Sequence, residues 1–349
     1  MQLSILIPSH RRDLLACSRI IQACCCAGPN IEVIVRDNSG DAQKRQMLMQ
    51  VKRDNCKIIF ADPCDASENF SETLRLARGE FVYFLADDDF LFERAIAALP
   101  DIIDKVRNDR SIVGVTGPYV IEASQGSAIV NYQCADADDV VERVKGFLRF
   151  QGPNVLYYSP LRREMAERIF AAIGAMPYPF SFHDQIMCLL YLLNGKFIRM
   201  QRLLYLYDFG LWELIETAQK RDVDFYAAAG LDPAINKLHW FLCGYEGAVL
   251  IRNSDLFPHY PSHQRQLMAD CWFSVNYARF RGHGRLTFGS CFTDQADQLC
   301  ARLEVLAGQL SFDGMLAEIS SFIELFSKAH AQVYFNYWSG IANKRLSAA

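Results

Sequence analysis

The chain has 349 residues, 51% of them hydrophobic and 22% charged, with a formal net charge of −4. That length and mixture suit one large or two medium folded domains and argue against disorder. The negative balance argues against a general nucleic-acid binder, and no run approaches the roughly 18 apolar residues of a spanning helix.

Leu3 to Ile7 is an apolar run that ends at Pro8 and reads as a buried parallel strand. No signal-peptide pattern precedes it, so a cytoplasmic location is expected, which extends to the inner face of a membrane. Asp13 to Ala27 places Leu14, Cys17, Ile21, Cys24 and Cys25 at helical spacing, and Gly28-Pro29 stops it. The twelve cysteines contain no C-x-x-C pair. Adjacent Cys24, Cys25 and Cys26 cannot all reach disulfide geometry, so reduced thiols are expected. Ile31 to Val35 is a second β-branched run, closed by the turn residues Arg36 to Asp41. A polar amphipathic stretch follows from Ala42 to Lys52. Lys57 to Phe60 reads as a strand, and Asn69 to Ala77 as a helix with Ser67 as its N-cap. Glu80 to Leu85 is a fourth strand, ending in Ala86-Asp87-Asp88-Asp89.

Strands and helices in alternation predict a mainly parallel sheet between helices, with ligands gathered at the carboxyl ends of the strands. Further on, helices are expected over Ala95–Arg107, Ala137–Phe150, Arg162–Ile173 and Asp184–Leu193. Strands are expected over Ile112–Ile121, Ala128–Tyr132 and Val155–Tyr158, and Phe197–Tyr207 reads as extended. Beyond Leu211 the strand signal fades. Asp224–Ala229, His239–Ile251, Gln264–Phe280, Asp294–Leu310 and Gly314–Tyr337 suit helices. The expected division is residues 1–210 and a helical region over 211–349.

Three adjacent carboxylates at a strand end repel one another unless solvent or a cation relieves them. Oxygen ligands of this kind suit Mg²⁺ or Mn²⁺, which also coordinate phosphate. An acidic turn capping the next helix is the competing reading of Asp87 to Asp89. Asp37 is either an Asx-turn residue or an acceptor for a nucleoside base N–H. Pro8-Ser9-His10-Arg11-Arg12 is either a solvated loop or a nucleotide contact.

Ser4-Ile5-Leu6-Ile7-Pro8-Ser9-His10-Arg11-Arg12, then Val33-Ile34-Val35-Arg36-Asp37-Asn38-Ser39, then Ala77-Arg78-Gly79-Glu80-Phe81-Val82-Tyr83-Phe84-Leu85-Ala86-Asp87-Asp88-Asp89, resembles family-2 glycosyltransferases of the GT-A fold in order and spacing. The resemblance implies a nucleotide-diphospho-sugar transferase fold with a mixed sheet, followed here by a C-terminal helical region. It implies that Pro8, Ser9, Arg11, Asp37, Arg78 and Asp87 lie against the donor. By the same resemblance Asp88 is the main metal ligand, and Asp87 and Asp89 assist it through ribose or metal-bound water. The family's general base matches Asp184 within Phe182-His183-Asp184-Gln185, where His183 replaces the usual glutamate. Asp184 also suits simple capping of the helix it starts.

The implied reaction is inverting transfer, with Mn²⁺ or Mg²⁺ on the diphosphate. A sugar would pass from a nucleotide-sugar donor, most often UDP-linked, to a glycan or lipid-linked saccharide. The alternative is a nucleotide-sugar-binding or scaffolding protein without turnover. A nucleotidyltransferase would carry a glycine-rich basic loop after the first strand, which Pro8 to Arg12 lacks. In the tail, Arg279, Arg281, His283 and Arg285 alternate and would share one side of an extended segment. Trp240, Phe241, Trp272, Phe273, Tyr334, Phe335, Tyr337 and Trp338 suit a core. Some of them could also stack on sugar or form a homo-oligomer or peripheral membrane contact.

Overall fold

Leu3–Ser9 (β1) is buried along its whole length, because both faces of the strand are covered and every position is apolar or hydrogen-bonded. It pairs in parallel with Ile31–Asp37 (β2) on one side and Phe81–Phe84 (β4) on the other. The structure, a computed structural model, describes residues 1–131, 135–149, 154, 156–178, 180, 182–210, 213–253, 256–257 and 259–343. The chain divides into two units, Met1–Ala172 with Met187–Leu211, and Ile173–Ile186 with Trp212–Ala349.

In the first unit, Cys56–Phe60 (β3), Phe90–Leu91 (β5), Ile112–Thr116 (β6), Tyr119–Ala123 (β7), Gly126–Val130 (β8), Leu161–Arg162 (β9), Lys196–Arg199 (β10) and Tyr205–Asp208 (β11) complete the strands. They form two sheets. One has seven strands in the order β10-β6-β9-β4-β1-β2-β3, and the other has four in the order β5-β11-β7-β8. Within the larger sheet β9 runs antiparallel to both neighbours.

The expected single-sheet GT-A architecture is therefore corrected to two separate sheets with a large C-terminal helical region. The cause lies in two runs that sequence reading took as continuous. Ile112 to Ile121 breaks at Gly117-Pro118, where proline offers no N–H to a ladder. Its first half is β6 of the larger sheet and its second half is β7 of the smaller. Phe197 to Tyr207 likewise leaves the larger sheet after Arg199 and enters the smaller at Tyr205. One further strand reading changes. Leu156 to Tyr158 is a turn rather than a strand, Val155 lying outside the described residues, as do Tyr132 and Phe150 at the ends of their predicted elements.

Leu14–Cys26 (α1) starts from Asp13, whose side chain accepts from the Ala16 N–H. Ala42–Leu48 (α2) is capped in the same way by Asp41. Ala66–Arg75 (α3) starts earlier than expected, and its N-cap is Asp65 rather than Ser67. Each is an ordinary Asp N-cap, worth about 1 kcal/mol. Glu93–Val106 (α4), Val140–Arg149 (α5) and Arg163–Gly174 (α6) follow. The described cysteines are all free thiols.

Gly79 marks where β4 enters beside β1. A Cβ there would stand 2.6 Å from the Ser4 backbone nitrogen and 2.7 Å from the Leu3 carbonyl carbon, neither of which can move independently of the strand. Gly79→Ala is expected to cost about 1–3 kcal/mol by overpacking. A denaturant midpoint equal to that of the wild type would contradict it.

The second unit is helical. Its elements are the first turn of His183–Asn194 (α7), then Ile215–Ala228 (α8), His239–Asn253 (α9), Ser262–Gly282 (α10), Thr293–Gly308 (α11), Phe312–Glu324 (α12) and Lys328–Asn343 (α13). The helix expected over Gly314–Tyr337 is two helices, broken between Glu324 and Lys328. α9 and α10 pack closely because Gly247 faces the Trp272 indole, which donates to the Cys243 carbonyl at 2.8 Å. Phe241, Trp272, Phe273, Tyr334 and Trp338 are buried, whereas Phe335 is exposed. Among the described residues no helix is long and apolar enough to cross a membrane.

Candidate active site

The carboxyl ends of β1, β2 and β4 bring three of the predicted segments together. Register fixes this: Ser9 lies opposite Asp37, and Leu6 lies opposite Phe84, so Asp87 emerges level with Ser9. Asp87 is buried, and its Oδ2 accepts from Ser9 Oγ at 2.7 Å and from the backbone N–H groups of His10 and Arg11 at 2.9 Å each. One carboxylate oxygen thus gathers the loop that follows Pro8. Asp87 Oδ1 accepts no hydrogen bond from the described residues, so that oxygen is the one open to a ligand.

Asp88 is partly exposed and receives Arg11 Nη1 at 3.1 Å, while Arg11 Nε goes to Asp13 at 2.7 Å. Burial, and then the neighbouring charge of Asp87, push the Asp88 carboxyl above the usual range, against the pull of Arg11. Asp89 is almost wholly buried, and its Oδ1 accepts from the Asp208 N–H at 3.2 Å. Among the described residues its Oδ2 has no hydrogen-bond partner, nor do the buried hydroxyls of Tyr83, Tyr119 and Tyr205. Burial first, and Asp88 second, raise the Asp89 carboxyl well above its ordinary value. Asp88 and Asp89 are therefore costly to ionise as they stand.

A divalent ion was expected here, and the donor set can be tested against one. All the donors are carboxylate oxygens, the chemistry Mg²⁺ and Mn²⁺ prefer, and Asp89 Oδ2 is a buried acceptor that receives no hydrogen bond among the described residues. Among the described residues no group of three acidic, histidine or cysteine side chains could cage an ion alone. The residues fit an ion held by one or two carboxylates, with phosphate and water completing its shell. Asp88 and Asp89 are the residues that would hold such an ion.

Asp37 is buried and already engaged. Ser39 Oγ donates to its Oδ2 at 3.0 Å, and Lys44 Nζ lies 2.8 Å from its Oδ1. The lysine was missed in the sequence, where Ala42 to Lys52 reads only as a polar amphipathic stretch. A signal existed: Lys44 precedes the buried Leu48 by four positions, which puts both on one helix face. Arg78 is not brought to this corner. It precedes β4, at the opposite end from Asp87, and pairs with Glu32 at 2.9 Å. Burial would raise Glu32, but hydrogen bonds from Ser4 and Arg78 hold it below the usual range. This is a structural tie at the amino end of the sheet.

Asp184 belongs to the other unit. It stands in the first turn of α7, where its Oδ1 accepts from the Gln185 N–H at 2.6 Å. His183 turns into the helical core, its Nε2 3.4 Å from Glu246 Oε2, and Tyr334 donates to the other oxygen of Glu246 at 2.9 Å. The alternation predicted for Arg279 to Arg285 fails because α10 continues to Gly282. Helical residues two apart point to nearly opposite sides. Arg279 accordingly lies over the Trp240 ring and reaches Gln185, whereas Arg281 is exposed and stands 4.0 Å from Glu304. Arg285 pairs with Asp222 at 2.6 Å.

No protein-family model matches the chain, and no curated protein matches it. Solved structures do. The S. aureus TarS 1-349 fragment in complex with UDP-GlcNAc is 14% identical with a TM-score of 0.54, the match covering all of this chain and 92% of that one. The same fragment in complex with UDP gives 13% and 0.52. A longer TarS structure gives 13% and 0.51 over 80% of this chain, and the match spans only 44% of that protein. At such identities the likeness is one of fold. The assignment to family-2 GT-A glycosyltransferases is corrected by the strands, which form two sheets where one was expected.

Proposed function

We propose that this chain transfers a sugar from a nucleotide-diphosphate donor of the UDP-sugar class to a hydroxyl of a glycan or lipid-linked saccharide. The observation that carries the reading is the carboxylate corner Asp87–Asp89 beside the Ser9–Arg11 loop, at the carboxyl end of a parallel sheet. The fold is shared with a protein crystallised with UDP-GlcNAc. In this reading Asp87 Oδ1 and Arg11 meet the donor, and Asp37, fixed by Ser39, offers its remaining acceptor capacity to the base. Asp88 and Asp89 would hold Mn²⁺ or Mg²⁺, which would supply charge to offset that of the departing diphosphate. Asp184 takes the acceptor proton, and attack from the face opposite the leaving group inverts the anomeric centre.

A thermal-shift panel of nucleotide sugars with and without Mn²⁺ tests this. A UDP-sugar at 100 times its Kd should stabilise the chain by about 2.7 kcal/mol, and Mn²⁺ should enlarge the shift. No shift with any nucleotide sugar, with or without the ion, would remove the proposal.

A further inference from the structure

Lys44 is the most completely enclosed basic side chain among the described residues of the first unit, only 1% exposed. An ammonium has three N–H donors. Here each has an acceptor: Ser9 Oγ at 2.6 Å, the Arg11 carbonyl at 2.6 Å and Asp37 Oδ1 at 2.8 Å. Asp87 Oδ2 lies 3.9 Å away. The amine therefore touches all three strand ends of the corner, through Ser9 of β1, Asp37 of β2 and the carboxylate that follows β4. Without it, Asp37 and Asp87 would be two buried carboxylates with no cation between them, a costly arrangement.

We propose that Lys44 is a positioning residue whose ammonium holds Asp37, Asp87 and the Ser9–Arg11 loop in the arrangement that receives the nucleotide. The inference rests on the donor reading above and adds to it. The positive charge at Asp37 and Asp87 is resident in the chain, which leaves Asp88 and Asp89 as the carboxylates a divalent ion can serve. Lys44 also fixes the loop at both ends, since Asp87 holds the His10 and Arg11 amides while the lysine holds the Ser9 hydroxyl and the Arg11 carbonyl.

The test compares wild type with Lys44→Met and Lys44→Gln by amide hydrogen exchange and by UDP titration. In Lys44→Met, the His10 and Arg11 amides are expected to lose at least tenfold in protection while amides of the β2–β3 ladder, such as Val33, which donates to the Asn55 carbonyl, keep theirs. Uniform loss across the sheet would mean plain destabilisation and would overturn the positioning role. So would unchanged protection at His10 and Arg11. The UDP Kd should rise at least tenfold. In turnover the change should fall on the donor KM, with kcat lowered less than threefold. Lys44→Gln, which keeps an N–H donor without the charge, should lie between wild type and Lys44→Met in both readouts. A Lys44→Met protein that binds UDP as tightly as wild type would overturn the inference while leaving the donor reading intact. Wild type that binds no UDP would overturn the donor reading, and the exchange data would then decide the loop-holding role alone.

Discussion

Asp184→Asn is expected to lower kcat for sugar transfer by about 10²–10⁴-fold, the range a positioned general base supplies, with the UDP Kd unchanged. The asparagine side chain is nearly isosteric and retains an oxygen to accept the Gln185 N–H that Asp184 holds at 2.6 Å. Its loss as a helix-terminal charge should cost only about 0.3–1 kcal/mol, so the melting temperature should barely move. That separation distinguishes the two readings of the residue. A base loses its proton-accepting power in the amide, whereas a helix cap does not. If Asp184→Asn transfers sugar at the wild-type rate, Asp184 only starts α7 and the base lies elsewhere. A wild type that binds UDP-sugar but neither transfers nor hydrolyses it would favour a binding protein without turnover.

How much of this was legible before the coordinates depends on the kind of residue. β1, β2 and β4 were legible because buried parallel strands are continuous apolar runs, and Leu3, Ile5, Leu6 and Ile7 are fully enclosed. Residues at their carboxyl ends could be grouped because parallel strands must end on one edge. The second sheet was not legible. A strand that leaves one sheet for another keeps its hydrophobic pattern, and only Gly117-Pro118 hints at the crossing. Register also decided which predicted donor contacts share a corner. Ser9, Asp37 and Asp87 are level across the ladder, but Arg78 lies at the other end of β4, and a basic residue near a motif carries no label of which strand end it occupies. Lys44 was hidden for a different reason. Lysine is almost always solvated, so its helical spacing from Leu48 does not by itself place the ammonium under a turn.

Asp89→Asn is expected to stabilise the ion-free protein at neutral pH and to abolish the stabilisation that Mn²⁺ gives in the presence of UDP. Asp89 is almost wholly buried, and burial followed by the charge of Asp88 raises its carboxyl well above the ordinary value. A carboxyl raised in the folded state binds its proton more tightly there than in the unfolded chain. Stability is then highest below the unfolded value, near 3.9, and is lost as pH rises from there through the folded value. Each unit of that displacement is worth about 1.4 kcal/mol. Asparagine keeps an acceptor for the Asp208 N–H and has no charge to desolvate. The gain in melting temperature over wild type should therefore be absent below about pH 4 and grow toward pH 7. Adding Mn²⁺ with UDP should recover the lost stability in wild type alone, because only an ionised Asp89 has a charge for the ion to neutralise. A gain equal at pH 4 and pH 7 would assign the effect to packing rather than to charge. A Mn²⁺ shift retained in full by Asp89→Asn would remove Asp89 from the ion's ligands and leave that role to Asp88, the partly exposed neighbour that Arg11 holds at 3.1 Å.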